Sequence, residues 1–350
     1  MTNECKAPRK TRTDKANLLV LSPGVWQVFQ RVTKRRGLVV VSGRVTGSAD
    51  RIEVKVSGRP FTGAMDRRWR VIRLDKATGA FTRSLPLPAG GWYTLSLRAR
   101  VGDRTTATVM IKPFGVGEVF VTAGQSNSTS CGQFPTKQAS GMVSSFNGKA
   151  WRQAVDPMWG AHDLIQAGEP IGEIFKGGSP WLAFGDEMFA RFGVPIGVAV
   201  TGHGGSSITQ WQPGCDMYNW LLTRIHQLGP AGCRAVLWHQ GESDAEMTSA
   251  EYFAQLANLI ESSKRDAGWE LPWSVAKVSY RSPTEPAFEH LRQAFDMVWQ
   301  HRIALPGPDT DMLTGDNRDC NGQGVHFSPK GLQAHGVMWA DSMSTWLGRR

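Results

Sequence analysis

The chain changes its hydrophobic period at Gly115-Val116-Gly117, and this change limits the folds open to it. Over residues 17–113, short runs rich in β-branched and aromatic residues are separated by turn formers. Runs at 37–45, 51–56, 69–74, 92–100 and 105–111 fit this description. The alternation is plainest in Trp92-Tyr93-Thr94-Leu95-Ser96-Leu97-Arg98, with turns supplied by Gly90-Gly91 and Gly102-Asp103. Such a pattern predicts a small antiparallel β-sandwich of the immunoglobulin-like kind. Beyond residue 115, apolar strands alternate with helical periods, which predicts an α/β domain whose parallel sheet is covered by helices. The expected division is a disordered basic tail over 1–16, an accessory β-sandwich domain over 17–114 and an α/β domain over 115–350.

Within the α/β part, a helix is expected over 179–192 with Ser179 as N-cap and Pro180 at the first helical position. Trp181, Phe184, Met188 and Phe192 share its apolar face, and Gly193 stops it. Strands are expected at 195–201, 233–239 and 273–280, and helices at 220–228, 284–299 and 329–347. Thr248 with Glu251 forms a capping box that opens a further helix to about residue 267.

A length of 350 residues with 41% hydrophobic and 20% charged content predicts a globular protein of two domains, without a membrane span. The net charge of +10 conceals two opposed halves. Residues 1–115 carry 23 Lys and Arg against 7 Asp and Glu, a net +16, whereas residues 116–350 carry 17 against 23, a net −6. Basic excess is the electrostatic footprint of phosphate binding, but these bases are scattered along expected strands and match no nucleic-acid motif. Solvated faces are the first reading, a docking surface for anionic glycan is the second, and a nucleic-acid partner is not expected. The first 15 residues lack the apolar stretch of roughly 7–15 residues that a signal peptide needs. The chain is then either intracellular or has lost its signal, and a secreted or periplasmic place is favoured. The five cysteines show no C-x-x-C pair and no metal-ligand spacing. Their odd number leaves at least one thiol unpaired and allows one or two disulfides.

Loops that follow parallel strands gather at one sheet edge, where open α/β sheets bind ligands. Gly124-Gln125-Ser126-Asn127-Ser128 follows the apolar run Val119-Phe120-Val121-Thr122-Ala123. A serine there is a candidate nucleophile, provided that a base takes its proton and donors hold an oxyanion. Thr201-Gly202-His203-Gly204-Gly205-Ser206-Ser207 offers glycines that open backbone N–H groups to close approach. Trp238-His239-Gln240-Gly241-Glu242-Ser243-Asp244 presents an amide and two carboxylates. Gly324-Val325-His326-Phe327-Ser328-Pro329 puts a histidine just before the last helix. His203 and His239 are assigned only packing or hydrogen bonding.

Four blocks, Gly124-Gln125-Ser126-Asn127, Gly204-Gly205-Ser206, Trp238-His239-Gln240-Gly241-Glu242-Ser243 and Val325-His326-Phe327-Ser328, stand in the order and spacing of the SGNH hydrolases. Over about residues 115–347 the chain resembles that family, in the branch of sialate O-acetylesterases and acetylxylan esterases. The resemblance implies a three-layer flavodoxin-like fold and an esterase that removes O-acetyl groups from a carbohydrate, with no metal or organic cofactor. It implies Ser126 as nucleophile and His326 as general base. The Ser126 N–H, a glycine N–H at Gly204 or Gly205 and the Gln240 side chain would form the oxyanion hole, with Gln125 and Asn127 at the substrate. Trp159 and Trp211 are candidates for stacking on sugar rings, although core packing is the first reading for either one.

The sequence departs from the family at one point. Most members carry an aspartate three residues before the histidine, where this chain has Gln323. Glu242 is therefore the first choice to orient His326, with Asp244, Asp319 and Asp316 behind it, and a simple Ser–His dyad is the remaining option. Gln323 also keeps open a carbohydrate-binding protein on a decayed esterase scaffold. An esterase for non-sugar acyl chains is a third reading. The glycan is left open among sialic acid, xylan, pectin and sulfated algal polymers.

Overall fold

The computed structural model describes residues 15–158 and 176–348. Most of the expected tail, Cys5 and Trp159 lie outside these residues. The first seven strands are β1 (Asn17–Ser22), β2 (Val28–Thr33), β3 (Arg36–Thr46), β4 (Arg51–Pro60), β5 (Arg70–Ile72), β6 (Ala80–Pro88) and β7 (Gly90–Val101). β3 takes β1, β2 and β6 as antiparallel partners, and β4 takes β5 and β7. Alternate residues of β3 are buried, as a strand with one covered face requires. Val39 and Val41 from β3, Val54 from β4, Leu85 from β6 and Leu95 and Leu97 from β7 meet in one apolar core.

β8 (Arg104–Gly124) runs without a break for 21 residues. Its first half pairs antiparallel with β7, and its second half enters a parallel sheet between β11 (Ile196–Val200) and β12 (Ala235–His239). The composition change at Gly115 therefore falls inside a strand, where the sequence suggested a boundary. Glu118, just past this point, is fully buried and holds both parts. Its carboxylate accepts from Arg31 Nε at 2.5 Å, Arg234 Nε at 2.7 Å and Gln30 Nε2 at 2.9 Å.

The parallel strands run in the order β9 (Val143–Phe146), β11, β8, β12, β13 (Trp273–Lys277) and β14 (Leu305–Asp309), with β10 (Trp151–Gln153) antiparallel on the β9 edge. The helix Trp181–Phe192 packs against the last helix, Pro329–Gly348, and Ser249–Ala267 packs against both Asp216–Leu228 and Glu289–Gln300. Phe120, Trp181, Phe184, Trp238, Trp273 and Trp339 are buried in the second, larger core. The result is a mixed α/β fold with a large sheet and few helices. Among the described residues no helix is long and apolar enough to cross a membrane.

The Thr248–Glu251 capping box is present. Ser179 is not the cap expected of it: Pro180 is, because the N–H and hydroxyl of Ser179 are both drawn to the Asp156 carboxylate, at 3.0 and 2.7 Å. The strand expected over 273–280 ends at Lys277, since the N–H groups of Ser279 and Tyr280 turn instead to Asp311 Oδ1 at 2.8 and 2.9 Å. The helix expected from residue 284 begins at Glu289, after an isolated bridge between Ser282 and Glu285. Cys131, Cys215, Cys233 and Cys320 are free thiols.

Candidate active site

The sheet register brings three loops to one edge. Val200 at the end of β11 lies beside Thr122, and His239 at the end of β12 lies beside Gly124. Gly124 has φ +129°, and a Cβ there would stand 2.0 Å from the His239 carbonyl oxygen, so the crossing admits only glycine. Gln125 N–H donates to that same oxygen at 3.0 Å, and His203 N–H donates to the Gly124 oxygen at 3.0 Å. Ser126 then opens a single 3₁₀ turn, Ser126–Ser128. No side chain caps its start, and the Ser128 N–H donates to the Gln125 carbonyl at 2.9 Å.

Behind the serine turn lies a fully engaged polar lattice. Gln240 Nε2 meets Asp244 Oδ2 at 2.5 Å, Gln125 Oε1 at 3.1 Å and the Ser206 carbonyl at 3.1 Å, while the Tyr252 hydroxyl stands 2.7 Å from Gln240 Oε1. An amide with two protons and three acceptors, fully buried, has no donor left for an oxyanion. In this arrangement Gln240 ties the three loops together. Gln125 Oε1 also accepts from Ser243 N–H at 3.2 Å. Asp244 accepts from the Ser207 hydroxyl at 2.5 Å and Ile208 N–H at 2.8 Å, which fixes the glycine loop. Within that loop Gly205 is exposed with φ +69°, and Gly204 is half-buried.

Asn127 is buried rather than presented to substrate. Its Nδ2 donates to Glu242 Oε1 at 2.8 Å and to the Val325 carbonyl at 3.1 Å, across 198 residues of chain. This contact joins the serine turn to the residue before His326. Among the described residues the carboxylate paired with His326 is that of Asp319, whose Oδ2 lies 3.6 Å from Nδ1. Glu242, the first choice for that partner, is spent on Asn127, and its Oε1 lies 3.9 Å from Nδ1 of a different histidine, His239. Burial pushes the Glu242 carboxyl up to about 7, against the Asn127 hydrogen bond that favours its charged form. Gln323 is exposed, and the Asp316 carboxylate reaches Lys330 at 3.4 Å.

Trp211 takes the core-packing place. It is fully buried, edge-on to Trp238 at 5.2 Å and stacked on Trp220 at 6.4 Å, with Nε1 donating to Ser206 Oγ at 3.0 Å. It cannot present a face to sugar. Burial holds His239 down near 3, with the Arg318 charge adding to the effect, and His239 Nε2 lies 3.0 Å from Thr310 Oγ1. Arg318 itself escaped the sequence reading. It is buried against the rings of Tyr280 and Phe327, and a lone arginine in a loop gives no periodic signal. Among the described residues no group of three or more His, Cys, Asp or Glu side chains is placed to hold a metal ion. What the edge offers is a serine hydroxyl and an imidazole with a carboxylate behind it.

A model of the carbohydrate esterase family of sialic acid-specific acetylesterases matches residues 116–345. The chain belongs to this family. Family members are carboxylic ester hydrolases, and the matched segment contains Ser126, Asp319 and His326. A probable carbohydrate esterase of Arabidopsis thaliana is 29% identical over 123 residues, a match that spans 33% of this chain and 44% of that protein, under half the relative's length. The structure of a carbohydrate acetylesterase from Xanthomonas citri superposes with a TM-score of 0.59 at 20% identity, covering 93% of this chain and 74% of that one. The Arabidopsis protein's own structure gives a TM-score of 0.50 at 21% identity, covering 65% of this chain and 98% of that one. These two likenesses are of fold.

Proposed function

We propose that the chain is a serine esterase that removes O-acetyl groups from a carbohydrate through an acetyl-serine intermediate. His326 takes the Ser126 proton as the hydroxyl attacks the acetyl carbonyl, a general-base contribution of about 10² to 10⁴. The oxyanion is met by the Ser126 N–H and by a glycine N–H at Gly204 or Gly205, each such donor being worth about 10² to 10³. His326 then returns the proton to the departing sugar hydroxyl. Water repeats the sequence on the acetyl-enzyme and releases acetate. Asp319 holds the ring and stabilises the imidazolium. Its distance of 3.6 Å is longer than a hydrogen bond, and such contacts tighten when substrate binds.

The observation that carries this reading is the Asn127–Val325 hydrogen bond, which ties the serine turn to the histidine loop. Against the decayed-scaffold alternative stands the Asp319 carboxylate, 3.6 Å from His326 Nδ1, as a stand-in for the one absent at residue 323. The proposal extends to a three-layer SGNH arrangement over 115–350, a β-sandwich over 17–114 and an anionic glycan as second partner for the basic strands.

Hydrolysis of p-nitrophenyl acetate by the wild type and by Ser126→Ala tests the mechanism, and equal rates would remove the serine from it. Acetate release from O-acetylated sialic acid, xylan and pectin, set against a series of longer acyl esters, then sorts the substrate.

A further inference from the structure

We propose that Arg318 is a positioning residue for His326, one that holds the loop carrying Asp319 and His326 in register with the Ser126 turn. The inference rests on the serine-esterase reading above.

The guanidinium is clamped between two rings, 3.8 Å from the Tyr280 centroid and 4.3 Å from that of Phe327. Its three nitrogens go to three main-chain oxygens: Nε to Leu313 at 2.5 Å, Nη2 to Thr310 at 3.0 Å and Nη1 to Val325 at 2.7 Å. These carbonyls lie on both sides of the bend that contains Asp319, so one side chain fixes where the bend starts and where it ends. The main chain closes the same bend, with Asp319 N–H donating to the His326 carbonyl at 2.9 Å and Arg318 bridging Phe327. The Val325 carbonyl is also the acceptor for Asn127 Nδ2. Arg318 and Asn127 thus meet at one oxygen atom, next to His326, from the histidine side and the serine side.

The charged and titratable groups facing the guanidinium are Glu242, Asp311, Asp319, Tyr280, His239 and His335. Its hydrogen bonds nevertheless go to carbonyls. A fork of fixed geometry is what three separated acceptors require, and a lysine ammonium, with its donors on one atom, cannot meet them together. A purely structural arginine would affect stability alone. A positioning arginine affects the rate of the bound complex as well, because a shift of about 1 Å in a catalytic group costs on the order of 10²-fold.

The test uses the full chain with p-nitrophenyl acetate as probe. In Arg318→Lys, kcat is expected to fall about 10²-fold with KM within about threefold of wild type. Millimolar guanidinium added to Arg318→Ala is expected to restore at least about tenfold of the lost kcat, as the ion re-enters the Tyr280–Phe327 clamp. A folded Arg318→Lys with kcat within about threefold of wild type, or with KM alone altered, would overturn the inference. Should Arg318→Lys fail to fold, Tyr280→Leu decides: a kcat loss of about tenfold at constant KM supports the role, and an unchanged kcat overturns it. An inert wild type, or a Ser126→Ala variant as fast as wild type, would instead defeat the esterase reading.

Discussion

The Asp319 carboxylate stands 3.6 Å from His326 Nδ1 although seven positions separate the two in the chain. The intervening residues fold back through a left-handed turn at Cys320 (φ +50°) and Asn321 (φ +56°). At Gly324 a Cβ would lie 1.7 Å from Asp319 Oδ1, so the carboxylate occupies the space a side chain would take. A loop-out of this kind lets a carboxylate seven positions upstream reach the imidazole.

Asp319→Asn is expected to lower kcat by up to about 10⁴, the loss seen when the orienting carboxylate of a serine protease is neutralised. Glu242→Gln, which can still accept from Asn127, is expected to lose less than about tenfold. Steady-state kinetics on an activated acetyl ester rank the two, and the reverse order would return the orienting role to Glu242.

The pH dependence of stability follows from the buried groups. Glu242 titrates near 7 in the fold against an ordinary 4.5, so the folded chain keeps a proton that the unfolded chain releases. Stability from this group is full below about 4.5 and is lost as pH rises toward 7, by at most about 3 kcal/mol. His239 acts in the opposite sense. Its value near 3 against 6.5 means that stability is present above 6.5 and is lost as pH falls. Urea unfolding of Glu242→Gln at pH 5 and pH 8 should therefore show relatively more stability at pH 8 than wild type shows. An identical pH dependence would mean that Glu242 is charged throughout.

Trp211→Ala should cost about 3–5 kcal/mol in chemical denaturation, as emptying a fully packed aromatic site does. Trp211→Phe should keep KM for an acetylated sugar within about twofold, because the indole touches protein on its faces. A folded Trp211→Phe with a tenfold higher KM would restore it as a sugar platform.

Glu118→Gln leaves the Arg31 and Arg234 guanidiniums beside a neutral amide in a buried place. Removing one partner of such a pair costs about 3–5 kcal/mol. Urea midpoints measure it. A loss under about 1 kcal/mol would show that water reaches the cluster.

The strands and helices were legible where period and capping agree, as at β3 and at the Thr248–Glu251 cap. Boundaries were missed where a distant carboxylate outbid the local signal: Asp156 took Ser179 from its helix, and Asp311 took Ser279 and Tyr280 from their strand. The same limit governed the site. Ser126, His326 and the glycine loop are local motifs, and the family match confirms the resemblance they carried. Several partners of Gln240 and Asn127 are 34 to 198 residues away, and those of Arg318 lie around a bend that no period announces. The run Asp319-Cys320-Asn321-Gly322-Gln323-Gly324 does contain turn formers, and that was the available hint that Asp319 could reach back.

Strand β8 ends at the glycine beside the serine turn and begins in a hairpin with β7, so no cut at residue 115 yields two clean fragments. A fragment starting there would carry half a strand whose upstream hydrogen bonds have gone, with Glu118 facing Arg234 but no longer Arg31. Recombination or engineering that exchanges the amino-terminal part for another would need its crossover before β7, and the replacement would have to bring its own counterpart of Arg31.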